Sequence, residues 1–263
     1  MVKSYDAEYF EPKATLECGQ VFRYEKVGEQ DYIIHSADKI ARVFSKGDAT
    51  IVDSDFPEYF SEYFDTETDY ETICRRLSAF EELQECVKTG RGIRILKQNF
   101  DETVLSFIIS ANNNIPRIKG IIERLCENFG KDCGDYKAFP TTDELKDVAV
   151  ETYRNLGCGF RDRYLAETVK ALRETDIKQR ILQSDTPTAC KLLCSLSGIG
   201  PKVADCIALF GMSRTDCYPV DTWIFKSNKS QVLDTPAKVR KYYLDRYGAD
   251  AGYAQQYLFY KAR

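Results

Sequence analysis

Gly198-Ile199-Gly200-Pro201 separates two apolar patterns of helical period, and it constrains the chain more than any other segment. Upstream, Ala189, Leu192, Leu193 and Leu196 make one apolar face. Downstream, Val203, Ala204, Ile207 and Phe210 make another that ends at Gly211. Proline suits the first turn of a helix, and the glycines stop the preceding one. The segment therefore predicts two helices joined by a Gly-x-Gly turn, over about residues 189–211. Glycines there let the backbone approach a phosphate closely, and free amides at the start of the second helix donate to it. An ordinary αα-hairpin accounts equally well for Gly-x-Gly taken alone.

The remainder divides into two kinds of pattern. Val21 to Tyr24, Tyr32 to His35, Ile40 to Phe44 and Thr50 to Val52 are β-rich, with breaks at Gly28, Asp38 and Gly47, so an antiparallel meander is expected. After Asp55 the spacing turns helical. Phe80, Leu83 and Val87 precede Gly90; Ile118, Ile121, Ile122, Leu125 and Phe129 precede Gly130; Leu165, Val169 and Leu172 mark another helix. The expected class is α+β. A small antiparallel β-containing N-terminal domain, residues 1–78, packs on a mostly helical body, residues 79–263, that carries the hairpin.

With 43% apolar residues in 263, the chain can bury a large core without disulfides or metals. It has no run near 18 apolar residues and a polar start, so neither membrane insertion nor secretion is expected. The ten cysteines read as small buried thiols. Cys190 and Cys194 lie one turn apart, but no second close pair follows and His35 is the only histidine, so no structural metal is expected. The net charge of −4 is the opposite of a simple basic nucleic-acid binder. Acidic residues crowd Met1 to Phe80, whereas Arg91, Arg94, Lys97, Arg117, Lys119, Arg161, Arg163 and Lys202 occupy the middle, a distribution compatible with a localised basic face.

Lys202 lies in the first turn of the second hairpin helix, and Tyr218-Pro219-Val220-Asp221 follows it. Leu196 to Asp205 together with Pro219-Val220-Asp221 resembles the helix-hairpin-helix and Gly-Pro-Asp signature of base-excision DNA glycosylases, with the lysine of their bifunctional members. Cys18-Gly19-Gln20-Val21-Phe22-Arg23, Ser110 to Arg117 and Ala251 to Phe259 narrow the resemblance to the 8-oxoguanine DNA glycosylase subfamily, over nearly the whole chain. Iron–sulfur relatives carry four closely spaced cysteines after the aspartate; here no cysteine follows Cys217.

The resemblance implies an enzyme that flips 8-oxoguanine, opposite cytosine, out of duplex DNA and cleaves its N-glycosidic bond by attack of Lys202 on C1′. β-Elimination then nicks the strand, and no cofactor is implied. Asp221 would stabilise positive charge on the sugar and help deprotonate the lysine. The carbonyl of Gly19 would accept from N7–H of the oxidised base, Cys206 and Phe259 would flank it, and Gln255 would read its edge. Asn112, Arg117 and Arg161 would read the estranged cytosine, and Phe160 would wedge into the vacated stack. Gly198, Gly200 and Val203 would hold a phosphate through the hairpin. A monomer is expected, nucleoid-associated in a prokaryotic cytoplasm or nuclear in a eukaryote.

Each residue also has a plain structural reading: a helix N-cap for Asp221, a tight turn for Gly19, a buried thiol for Cys206, terminal-helix packing for Phe259. Two positions depart from the eukaryotic pattern. Trp223 replaces a histidine two residues after the aspartate and Phe160 replaces a tyrosine, so the phosphate contact and the polar wedge contact of that pattern do not carry over, and the sequence leaves the strictness for cytosine opposite the lesion open. The competing functions are an alkylated-base glycosylase of the same fold, which needs only the aspartate, and a noncatalytic DNA-binding hairpin.

Overall fold

Residues 1–262 are described by a computed structural model in which five strands and a long series of helices alternate along the chain. The strands are β1 (Val2–Asp6), β2 (Tyr24–Gly28), β3 (Asp31–Ser36), β4 (Lys39–Lys46) and β5 (Ala49–Asp53), in the order β1-β5-β4-β3-β2. Helix α1 (Pro12–Leu16) lies between β1 and β2, and α2 (Pro57–Tyr63), α3 (Tyr70–Leu77) and α4 (Gln84–Thr89) follow β5. Next come α5 (Phe100–Ser110), α6 (Ile115–Phe129), α7 (Val150–Tyr153), α8 (Asp162–Glu174) and α9 (Ile177–Gln183). The hairpin pair is α10 (Thr186–Leu193) and α11 (Pro201–Gly211), and α12 (Thr222–Asn228), α13 (Pro236–Tyr247) and α14 (Ala251–Ala262) end the chain.

These elements form two compact units, each discontinuous in sequence. One holds Met1–Ile34, Ile40–Lys97 and Ser213–Arg263; the other holds His35–Lys39 and Gln98–Met212. The expectation was a single cut after residue 78. The units differ from it because the last fifty residues fold with the strands, a long-range association that local periodicity does not encode.

In the strand unit, β1 pairs antiparallel with β5, Val2 opposite Asp53 and Asp6 opposite Ala49, and β5 pairs antiparallel with β4. Side chains along β3 alternate between buried and half-buried, as a sheet with one covered face requires. Tyr32, Ile34, Val43 and Val52 from the sheet meet Phe10, Leu16, Phe60 and Phe64 in one apolar cluster. Three of the expected strands overlap observed ones. Val21 to Tyr24 does not match: the strand starts at Tyr24, and Val21 and Phe22 are buried in the loop ahead of it. β1 carries no apolar alternation, only Val-Lys-Ser-Tyr-Asp along an exposed edge.

The helical unit is built around α5, where Phe100 and every residue from Glu102 to Ile109 are buried. A helix apolar on all sides must be surrounded, and α6, α8 and α11 pack on it. Asn99 caps α5 by accepting from the Glu102 amide. The amphipathic helix ahead of Gly130 is present, but Gly130 is extended rather than left-handed. Glycine is required there by space, since a Cβ would lie 2.0 Å from the Ala138 carbonyl oxygen. No described helix is long and apolar enough to cross a membrane.

Candidate nucleic-acid site

The hairpin forms at the expected place. Gly198 is left-handed at φ +80°, and a Cβ there would lie 2.7 Å from Cβ of Tyr164 on α8, so both the turn and the packing demand glycine. Gly200 is the N-cap of α11, Pro201 opens its first turn, and no side chain caps that end. The first-turn amides, those of Lys202 and Val203, therefore lack an intrahelical acceptor and face outward with the positive end of the helix dipole. The turn is braced from α8, where Thr168 Oγ1 donates to the Ser197 carbonyl at 3.0 Å and Ser197 Oγ bonds Glu167.

Lys202 is half-buried, its Nζ 5.5 Å from the centre of the Phe107 ring on α5. Phe107 in turn stacks on Phe210 of α11, with centroids 5.7 Å apart and ring planes at 15°. The face of an aromatic ring attracts a cation, so this stack steadies the lysine head. Cys206, one turn further along α11, is buried. Phe107 was not anticipated; its position in the apolar run before the asparagines was the available signal.

A second cluster in the same unit joins segments far apart in sequence. Asn112 is exposed and left-handed at φ +50°. Asn114 caps α6 by accepting from the Arg117 amide at 3.0 Å. The turn around Gly157 is held by Arg124 Nε on the Leu156 carbonyl at 2.8 Å and by Arg117 Nη2 on the Gly157 carbonyl at 3.3 Å. It presents Phe160, 59% exposed, next to Tyr164 with ring centroids 6.2 Å apart. Arg161, only 3% exposed, reaches back across the cluster. Its Nε donates to the Ala111 carbonyl at 2.8 Å, Nη2 to those of Ala111 and Asn112 (2.9 Å to the latter), and Nη1 to that of Cys158 at 3.2 Å. Burial, followed by the nearby charge of Arg117, pulls the Arg161 pKa down. The expected cytosine reader is thus committed to three carbonyls and ties the Asn112 tip to the Phe160 tip.

The strand unit carries the other candidates. Asp221 is the N-cap of α12, its Oδ1 accepting from the Ile224 amide at 2.8 Å, which fixes the carboxylate. On α14, Gln255 is buried and its Oε1 has no hydrogen-bond partner, while Phe259, one turn on, is half-buried. An unsatisfied buried amide oxygen is costly without a partner to receive. Gly19 is left-handed at φ +84°. Its neighbours fix the turn. Gln20 Nε2 donates to the Thr15 and Arg94 carbonyls at 2.8 and 2.7 Å, Gln20 Oε1 accepts from the Leu96 amide at 2.9 Å, and Gln256 Nε2 donates to the Cys18 carbonyl at 3.3 Å. Burial pushes the Cys18 thiol up to about 11, so it sits there as an unreactive filler. Gln20 and Gln256 were also not anticipated.

The expected basic stripe is smaller than its sequence suggested. Arg94 is buried with its guanidinium 4.4 Å from the Tyr70 ring, and Arg91 pairs with Glu8. Among the described residues no three or more His, Cys, Asp or Glu side chains group as a metal site.

Residues 3–104 match the family described as 8-oxoguanine DNA glycosylase, N-terminal domain. N-glycosylase/DNA lyase OGG1 of Arabidopsis thaliana is 33% identical over 195 residues, 66% of this chain and 53% of that protein. N-glycosylase/DNA lyase of Saccharomyces cerevisiae is 34% identical over 215 residues, 65% of this chain and 57% of its own. The chain thus spans just over half the length of these two relatives. The crystal structure of Clostridium acetobutylicum 8-oxoguanine glycosylase/lyase, in complex with double-stranded DNA containing cytosine opposite 8-oxoguanine, superposes with a TM-score of 0.91 at 36% identity, covering 100% of this chain and 97% of that one. A hairpin with its lysine, a capping aspartate and the segment around Gly19 occur together in a chain with these likenesses, and the chain belongs to the 8-oxoguanine DNA glycosylase family of helix-hairpin-helix proteins.

Proposed function

We propose that the chain is a bifunctional DNA glycosylase and AP lyase acting on 8-oxoguanine opposite cytosine in duplex DNA. The observation that carries this reading is Lys202 in the uncapped first turn of α11, beside the left-handed turn at Gly198. The amides at that helix start, with Gly198 and Gly200 leaving room, receive a phosphate of the lesion strand. This is how a chain of net charge −4 holds DNA.

Cys206 and Phe259 are the residues we assign to contact with the flipped base. The Gly19 carbonyl accepts from the N7–H that only the oxidised base carries, and the unpartnered Oε1 of Gln255 accepts from a donor on its edge. Phe160 fills the vacated stack while Asn112 and Arg117 face the cytosine, with Arg161 holding their segment in place or joining them by exchanging a carbonyl for the base.

In the reaction, neutral Lys202 Nζ attacks C1′ as the C1′–N9 bond breaks. The base leaves with the electron pair and takes up a proton, and the fixed negative charge of Asp221 stabilises the cationic sugar. Ring opening gives a Schiff base. Loss of a C2′ proton then expels the 3′-phosphate, so the strand is nicked by elimination without a water molecule. We further propose that the protein acts as a monomer in the compartment that holds the genome, the nucleoid of a prokaryote or the nucleus of a eukaryote.

Incubation of the protein with a duplex holding a single 8-oxoguanine opposite cytosine, in the presence of borohydride, tests this. A covalent adduct is expected. Base release without an adduct would favour the monofunctional alternative, and binding without release the noncatalytic one.

A further inference from the structure

The Gly19 carbonyl belongs to the peptide plane that joins Gly19 to Gln20. A peptide unit is flat, so this plane turns only about ψ of Gly19 and φ of Gln20, and glycine resists such a turn least of all residues. Gly19 is half-buried, and among the described residues no donor reaches its carbonyl oxygen. The oxygen is therefore open to a ligand, but no bond of its own aims it.

Its aim comes from the two flanks. On one side Gln20, 0% exposed, spends its side-chain amide on the Thr15 and Arg94 carbonyls and the Leu96 amide. Those segments are tied to each other, since the Arg94 amide donates to Thr15 Oγ1 and Thr15 Oγ1 donates to the Gly92 carbonyl, each at 3.1 Å. On the other side the plane joining Cys18 to Gly19 has a single hydrogen bond among the described residues, from Nε2 of Gln256 to the Cys18 carbonyl. Gln256 is 3% exposed on α14, so water does not readily replace it. The Cys18 side chain is held separately, its Sγ donating to the Thr15 carbonyl at 3.1 Å.

Aim matters twice at this carbonyl. The oxidised base presents N7–H, and guanine presents the N7 lone pair. A carbonyl directed at N7 attracts the first and repels the second, whereas one that swings aside does neither.

We propose that Gln256 is a positioning residue for lesion recognition: by holding the Cys18 carbonyl it aims the Gly19 carbonyl at N7, and so sets the preference for 8-oxoguanine over guanine. The inference rests on the reading of Gly19 given above. It assigns the discrimination to a side chain that itself touches no part of the base.

The test compares three duplexes that differ at one position opposite cytosine: 8-oxoguanine, guanine and a tetrahydrofuran abasic analogue. Binding is measured in Lys202→Gln protein, which leaves the lesion intact, with Gln256 or with Gln256→Met, a side chain of the same length without the donor. Gln256→Met should lower the ratio of 8-oxoguanine to guanine affinity about five- to tenfold and leave the abasic duplex bound as before. A bond that served stability alone would weaken all three duplexes by one common factor, and the ratio does not depend on how much of the protein is folded. Gln256→Asn keeps the site polar but draws the amide back by about 1.5 Å, one carbon–carbon bond, so it should lose the same preference; it also serves if the Met variant melts below the assay temperature. A ratio kept at the parent value in the variants, or an equal loss on all three duplexes, would overturn the proposal. Excision by wild-type protein separates the two failures. A parent that prefers 8-oxoguanine and variants that still do sink only this inference; a wild type that neither prefers nor excises 8-oxoguanine sinks the functional reading as well.

Discussion

Replacing Arg161 with alanine removes a guanidinium that joins two turns separated by about fifty residues of sequence. The side chain is 3% exposed and bonds the carbonyls of Ala111, Asn112 and Cys158. Hydrogen bonds to charged groups are worth about 1.5–3 kcal/mol each, but water can reach part of this surface cluster and replace some of them. A net loss of about 2–4 kcal/mol follows. At about 2–4 °C per kcal/mol for a chain of this size, Tm should fall by roughly 4–16 °C. The functional consequence follows from the same geometry. With the Asn112 tip no longer tied to the Phe160 tip, single-turnover excision should drop by a similar factor whichever base lies opposite the lesion. Thermal melts and excision from four duplexes, one for each opposite base, measure both. A Tm within about 1 °C of wild type, with the loss confined to cytosine, would refute the reasoning and make Arg161 a base reader whose carbonyl bonds are incidental.

Gly198→Ala forces an alanine to φ +80° and its methyl onto Tyr164, so it should cost about 2–4 kcal/mol and weaken duplex binding, seen by melting and by gel shift. Asp221→Asn keeps an equally good N-cap while removing the charge, so Tm should stay within about 1–2 °C while excision slows about 100-fold; a large fall in Tm would show that the cap, not the charge, was lost. Phe259→Ala should weaken binding of the lesion duplex by about 1–3 kcal/mol and leave undamaged-duplex binding unchanged, whereas thermal collapse would identify it as core packing. Arg246, hydrogen-bonded to Glu82, holds that carboxyl down at about 2, against about 4.3 in an unfolded chain. Its contribution is complete above pH 4.3 and is lost as the pH falls toward 2, so the Tm gap between wild type and Glu82→Gln should close over that window. The pair is partly exposed, and the effect should stay under about 1 kcal/mol.

Local chemistry was readable in the chain, and long-range chemistry was not. Gly198, Gly200 and Pro201 declare a hairpin because their backbone preferences act over a few residues. Asp221 declares a helix start for the same reason. β1 was missed since Val2 to Asp6 lie along an exposed edge and carry no apolar alternation, and Val21 with Phe22 looked like a strand because burial in a loop selects the same residues. The association of residues 213–263 with the strands depends on contacts at large sequence separation, which no local pattern records. Within the candidate site, the ties of Arg161 to three carbonyls had no signature, because backbone acceptors are the same at every residue. Gln20 and Gln256 were closer to legible: each adjoins a residue already singled out, Gly19 and Gln255, and an amide beside a special glycine or a reading glutamine is a natural brace.

The covalent role of Lys202 is tested most directly by locating the bond itself. Wild-type protein, trapped by borohydride on a duplex containing 8-oxoguanine, is digested and the DNA-linked peptide identified by mass spectrometry. The predicted result is a single modified residue, Lys202, and no adduct from Lys202→Gln protein that still binds the lesion duplex. An adduct on Met1 or another lysine, or base release at the wild-type rate by Lys202→Gln, would contradict the account.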